Sequence, residues 1–188
     1  MVYGIGVNNI GKYPTSIDGV HTKEYLVWKS MLQRCVPGGT FQTANPSYIG
    51  CSVHPDFIHF QDFAEWCSNQ IGFGNDGFAL DKDILVPGNK VYGPDTCCFV
   101  PKSINVALTH KQLNNSRYGI GVKPSGGKFI SRIKRRGVWT HLGTFDTISE
   151  ACEQYKAAKT DEVHRLAVEF REMIDRRVYD AMMEYRMD

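Results

Sequence analysis

The sequence predicts an α+β protein in two parts. Residues 1–112 are expected to form a strand–loop–strand–helix unit with flanking helices. Residues 113–188 are expected to form a three-stranded antiparallel sheet packed on a helix, with a helical C-terminal tail. Three observations predict this class: apolar residues at 3–4 spacing in 21–35, strict alternation in 78–85 and 128–134, and Gly- or Pro-rich turns between these runs.

The elements of the first part follow from periodicity. Pro55 suits the first turn of a helix, and the apolar residues after it recur at helical spacing. The predicted elements are a short strand at 3–7, a helix at 21–35, a loop at 36–50, a helix from Pro55, a turn at 72–77, strands at 78–85 and 97–100, and a helix from 102 to about 110.

The second part has its own pattern. Three alternating runs, at 118–123, 128–134 and 138–142, are separated by glycine turns, and a polar linker at 111–116 precedes them. Thr147 and Glu150 have the spacing of a capping box, which predicts a helix start there. The apolar stripe from Leu166 to Tyr185 predicts one long helix or two. This tail is expected to pack on the body or to form a homodimer contact.

Charge is unevenly distributed along the chain. The window 111–145 contains eight Lys and Arg residues and no Asp or Glu, so with a net charge of +2 the rest of the chain carries −6. A segment with positive charges and no negative ones produces a positive electrostatic potential, which favours a polyanionic partner. The alternative is a solvated basic face without a ligand.

Alternation along the predicted strands places Arg132 and Lys134 on the face opposite Phe129 and Ile133. A sheet face that carries Arg, Lys and an aromatic ring can enter a major groove, and its cations can neutralise phosphates. The expected partner is double-stranded DNA. The candidate contacts are Lys123, Lys128, Arg132, Lys134, Arg135, Arg136, Trp139 and His141. Trp139 could instead be a half-buried core residue, and His141 merely exposed.

The run from Leu142 to Thr147, followed by Glu150, Ala151, Tyr155 and Ala158, resembles the DNA-binding domain of plant ethylene-response (APETALA-type) transcription factors. In that family the sheet reads the major groove. The resemblance implies that Arg132, Lys134, Trp139 and His141 contact DNA. The chain lacks the arginine-rich first strand of the plant pattern, so base specificity does not carry over.

The strand–loop–strand–helix unit resembles the ββα-metal core of HNH endonucleases, and the whole arrangement resembles phage homing endonucleases that end in the plant-type domain. The resemblance implies a single divalent ion, Mg²⁺ by preference, bound by Asp81, Asp83 and Asn105. It implies a catalytic role for Asp83, Lys82 and Asn105. Asp81-Lys82-Asp83 stands where the family has a histidine base, and His54, His59 and His110 are alternative bases. The other interpretation of Asp81 and Asp83 is a surface strand with structural ion pairs.

Six cysteines lack a Cys-x-x-Cys pair. Cys35, Cys51 and Cys97 could hold a structural Zn²⁺, whereas reduced thiols in the core are the alternative. No apolar run approaches the ~20 residues of a membrane span, and no leader segment is evident, which predicts a cytoplasmic protein without membrane contact.

Two functions are therefore carried forward. The first is a metal-dependent, homing-type DNA endonuclease that nicks or cuts DNA bound by its C-terminal sheet. The second is a catalytically inactive DNA-binding regulator or inhibitor on the same scaffold. In a third interpretation, the protein binds other proteins through its C-terminal helix.

Overall fold

The computed structural model describes residues 1–108 and 117–187, which form two compact units. The first unit combines Met1–Val100 with Met173–Val178, and the second combines Pro101–Glu172 with Tyr179–Asp188. Both contain helices and small sheets, which confirms the α+β class. The predicted linker at 111–116, the predicted boundary between 112 and 113, and His110 lie outside the described residues.

The first unit has short strands and helices. They are β1 (Ser16–Ile17), β2 (Val20–His21), α1 (Lys23–Arg34), α2 (Thr40–Ala44), a 3₁₀ turn (Pro46–Tyr48), β3 (Ser52–Val53), α3 (Pro55–Ile58), α4 (Phe60–Ser68), β4 (Phe78–Asp81), β5 (Val91–Tyr92) and β6 (Cys98–Pro101). Strands pair as β1 with β2, β3 with β5, and β4 with β6.

The core of this unit lies between α1 and α4. Trp28 and Leu32 of α1 and Phe60 and Phe63 of α4 are fully buried, as their helical spacing predicts. The indole N–H of Trp28 donates to the Phe57 carbonyl at 2.8 Å, so its polar group is satisfied inside the core. The helix predicted from Pro55 is two helices, because the backbone of His59 is extended between α3 and α4.

Two strand predictions were wrong in informative ways. Residues 3–5 form a turn, because Tyr3 (φ 54°) and Gly4 (φ 71°) take the left-handed conformation and the Gly6 N–H bonds back to the Val2 carbonyl, while Gly6 and Val7 form only isolated β-bridges. The strand predicted at 78–85 ends at Asp81, whose side chain accepts the next free backbone N–H groups. The loop predicted at 36–50 contains α2, anchored by the buried Gln42 side chain.

The second unit is built on one sheet and one long helix. Its elements are α5 (Lys102–Leu108), β7 (Val122–Ser125), β8 (Lys128–Arg135), β9 (Val138–Phe145) and α6 (Ile148–Glu169), and α7 (Arg176–Glu184) ends in it. The strands are antiparallel in the order β7-β8-β9, which agrees with the predicted three-stranded antiparallel sheet. The first strand, predicted at 118–123, was wrongly placed: Gly119 (φ 90°) and Gly121 (φ 74°) take the left-handed conformation, and β7 begins only at Val122. The predicted tail is two helices.

Helix α6 covers one face of this sheet and α5 packs against α6. Ser131 and Ile133 of β8 are buried on the covered face together with Ala151 and Ala158 of α6. The predicted capping box is present: Thr147 Oγ1 accepts from the Glu150 N–H at 3.2 Å, and the Glu150 carboxylate accepts from the Thr147 N–H at 3.1 Å. This start fixes where α6 leaves the sheet.

Candidate nucleic-acid interface and predicted metal site

The face of the sheet opposite α6 is open. Arg132 lies directly across from His141, and Lys134 directly across from Trp139, so these four side chains share the face that α6 leaves uncovered. Lys123 lies across from Ile130 and joins the same face from β7. Lys123, Lys134 and His141 are exposed, and Trp139 is 51% exposed. We call this set the open face: Lys123, Arg132, Lys134, Trp139 and His141.

The aromatic ring at the centre of the open face orients one of its cations. The Arg132 guanidinium stacks over the Trp139 ring at 4.2 Å from its centroid. A guanidinium that lies over an indole face can still direct N–H donors to a second partner. Trp139 therefore acts as a platform rather than a core residue.

A β-bulge changes which residues of β9 lie on the open face. Ser131 pairs with Gly143 but Arg132 pairs with His141, so β9 holds one extra residue at Leu142. Beyond the bulge, Thr144 pairs with Ile130 and falls on the open side, while Phe145 pairs with Phe129. Sequence reasoning missed Thr144 as a contact candidate. Gly143, with φ at 157°, gave the only signal, since glycine within a strand often marks a bulge.

The three other predicted DNA contacts have acidic partners within the protein. Lys128 Nζ lies 2.8 Å from the Asp146 carboxylate, which raises the pKa of Lys128 through their hydrogen bond. Arg136 donates to Glu169 at 2.7 Å. Arg135 Nε lies 3.3 Å from the carboxylate of Glu162 without hydrogen-bond geometry. These cations differ from those of the open face, to which no carboxylate of the described residues is ion-paired.

Glu162 organises the covered side of the sheet. It is 6% exposed and receives two hydrogen bonds from Arg165, at 3.0 and 2.7 Å. Arg165 also reaches Glu169, which in turn binds Arg136, so two glutamates of α6 hold the β8–β9 turn. A buried carboxylate needs such partners, because desolvation of an unpaired charge costs several kcal/mol.

The predicted metal ligands Asp81 and Asp83 do not lie side by side on a strand. Asp81 Oδ1 accepts the backbone N–H of Asp83 at 2.7 Å and of Ile84 at 2.9 Å, which closes the turn after β4. Burial raises the pKa of the Asp81 carboxyl. Asp83 lies beyond the strand and is exposed.

Lys82, a predicted catalytic residue, is buried, with 5% of its surface exposed. Its ammonium donates to Asp83 Oδ1 and, at 2.7 Å, to the Asn89 carbonyl. It also lies 5.7 Å from the centroid of the Tyr92 ring. The Asn89 side chain ties Lys82 and Val91 together through their carbonyls, so Lys82 serves as an internal anchor of the 82–91 loop.

These contacts do not fit a ready divalent-ion site. The Asp83 carboxylate is already ion-paired with the Lys82 ammonium, and Asp81 Oδ1 already accepts hydrogen bonds from backbone N–H groups. Asn105 lies in α5 and belongs to the second unit. Within residues 1–108 and 117–187, no group of three His, Cys, Asp or Glu side chains is arranged to hold a metal ion. His54 caps α3 by accepting the Asp56 N–H, and His59 is exposed.

Cys35, Cys51 and Cys97 are buried with free thiols. Burial raises the pKa of Cys35 and of Cys97 to about 12, so both stay protonated near neutral pH. All three belong to the buried core of the first unit, and a structural Zn²⁺ on them stays a prediction.

Comparison of the chain with protein-family models, curated proteins and solved structures yields no match. Across the part of the chain that the structure describes, no helix combines the length and apolar character that crossing a bilayer requires. The candidate contacts are therefore assigned from the sequence and from the geometry of the sheet.

Proposed function

We propose that this protein binds double-stranded DNA through its open face. One observation carries the proposal: strand register gathers Lys123, Arg132 and Lys134 with Trp139 and His141 on one uncovered sheet face. The acidic partners found among the described residues engage the other basic residues of this unit instead. The open face therefore has uncompensated positive charge where a polyanion can reach it.

The dimensions of the sheet support a major-groove fit. Three strands at about 4.8 Å spacing span about 10 Å from first to third. The major groove of B-DNA is about 12 Å wide and admits strands whose side chains point at base edges. Arg132, held on Trp139, presents donors suited to guanine, and Lys123 and Lys134 suit phosphates.

Affinity measurements test this proposal. Fluorescence anisotropy with a labelled duplex compares the parent with Arg132→Ala and Lys134→Ala. Lys156→Ala is the matched control, because Lys156 belongs to α6 on the covered side. We expect each open-face variant to weaken binding about 5- to 150-fold, by the 1–3 kcal/mol of a good contact. Lys134→Ala should also reduce the salt slope by about one, because Lys134 is assigned to phosphate. Unchanged affinity in both open-face variants would refute the assignment.

A second candidate function adds cleavage to binding. We propose metal-dependent endonuclease activity from the sequence resemblance of 78–105 to the HNH core, with Mg²⁺ as the expected ion. The contacts of Asp81, Lys82 and Asp83 do not support a preformed metal site, so we assign these residues no hydrolytic step. The same contacts favour the alternative, a catalytically inactive DNA-binding regulator or inhibitor.

Supercoiled plasmid separates these two candidates. Parent protein is incubated with Mg²⁺ or Mn²⁺, with and without chelator, alongside Asp83→Ala and Asn105→Ala. Asp62→Ala controls for loss of an exposed carboxylate on α4. Cleavage by the parent and Asp62→Ala, but by neither site variant, supports the endonuclease. A parent that shifts DNA but never cleaves it leaves the inactive DNA-binding protein as the function.

A further inference from the structure

The segment Met173–Val178 belongs to the first unit although it follows α6 of the second. Ile174 is 3% exposed and Val178 is fully buried. The chain therefore leaves the first unit at Val100, forms the sheet and α6, and returns to the first unit at Met173. We call Met173–Val178 the strap.

Polar contacts hold the strap beside β6. Arg177 donates to the Asp95 carbonyl at 3.5 Å, just before β6 begins. Arg177 is itself held by Asp175, whose carboxylate accepts its backbone N–H at 2.7 Å and its guanidinium at 3.0 Å. Asp175 and Arg177 are close enough to the Cys98 thiol for their charges to act on its pKa, which burial raises.

We infer that the strap is a structural part of the first unit and closes over β6, so that its release opens the region of Cys98. Cys98 is 1% exposed, although it lies in a strand of only four residues. The strap begins four residues after Glu169, the last residue of α6, which Arg136 and Arg165 hold in place. The first unit thus includes a segment, the strap, that follows the second unit's α6 in the sequence. This inference is independent of DNA binding and of cleavage.

Cysteine alkylation measures strap release. Full-length protein is pulsed with iodoacetamide under native conditions, and the modified cysteines are identified by mass spectrometry. Cys98 reports on the strap, Cys67 on the first-unit core, and Cys152 on the second unit. The variants are Val178→Asp and the milder Val178→Ala. Val168→Asp is the matched control, because Val168 is 60% exposed on α6.

We expect Val178→Ala to accelerate Cys98 alkylation about tenfold or more, because lost packing raises the population of the open state. Cys152 in Val178→Ala, and all cysteines in Val168→Asp, should stay within about twofold of the parent rate. Unchanged Cys98 alkylation in both Val178 variants would overturn the inference. Equal acceleration of Cys98 and Cys152 in Val178→Ala would also overturn it, because the strap would then not act on the first unit.

Discussion

Gly121→Ala should destabilise the second unit strongly, and the structure gives two separate reasons. Gly121 has φ at 74°, which costs a residue with a Cβ about 1–2 kcal/mol. The added Cβ would also lie 2.1 Å from Cδ2 of Tyr155 and 2.7 Å from the Arg132 carbonyl oxygen. Relieving such overpacking costs about 1–3 kcal/mol more. The expected loss is therefore about 2–5 kcal/mol.

Comparison with Gly126→Ala separates the steric clash at Gly121 from the cost of positive φ. Gly126 also has positive φ, at 56°, but an added Cβ there would have no heavy atom within 4 Å. Scanning calorimetry of both variants should give a lower Tm for Gly121→Ala, with the difference reflecting the clash with Tyr155 and Arg132. DNA affinity should fall in Gly121→Ala as well, because Arg132 must move. Equal melting temperatures would refute the argument that Gly121 is required by close packing of α6 on the sheet.

Helix capping, ion pairing and carboxyl burial each predict the effect of a single substitution. Thr147→Ala removes the cap of α6 and should cost about 1 kcal/mol, measured as a lower Tm, whereas Thr147→Ser should restore most of it. Glu169→Gln weakens the hold on Arg136 and should tighten DNA binding at low salt and steepen the salt slope; a weaker complex would contradict this. Asp81→Asn keeps an acceptor for the turn but removes the ionisation that burial opposes. The raised pKa of Asp81 means that its contribution to stability is present at acidic pH and lost as pH rises through that pKa. Asp81→Asn should therefore be more stable than the parent at pH 7 and similar at pH 3, by urea unfolding, and a less stable variant at pH 7 would refute this.

The second unit was largely predictable because its signals are local. Alternation in 128–134 predicts which side chains of β8 share a face, and Thr147 with Glu150 predicts the start of α6. The bulge at Leu142 was not predictable from alternation, since one extra residue reverses the faces beyond it. The open-face assignment of Arg132, Lys134, Trp139 and His141 depends only on residues before that bulge.

The first unit was less predictable because side chains override its periodicity. Alternation continues through Asp83, but the Asp81 carboxylate bonds to the backbone and ends β4. Burial of the Lys82 ammonium depends on Asn89 and Tyr92, which only the folded loop brings near. The apolar stripe of the tail predicts helix, but no pattern in it shows that residues 173–178 belong to a unit formed mainly by residues 1–100.

The strap also affects how the protein is made. A ribosome adds about 5–20 residues per second, so the 78 residues from Val100 to Val178 take about 4–16 s to synthesise. During that interval the nascent first unit lacks Ile174 and Val178, both of which are buried in the complete chain. The sheet and α6 have time to fold before the first unit can close. The full set of residues that make up the first unit is therefore present only after the whole of the sheet and α6 has been synthesised.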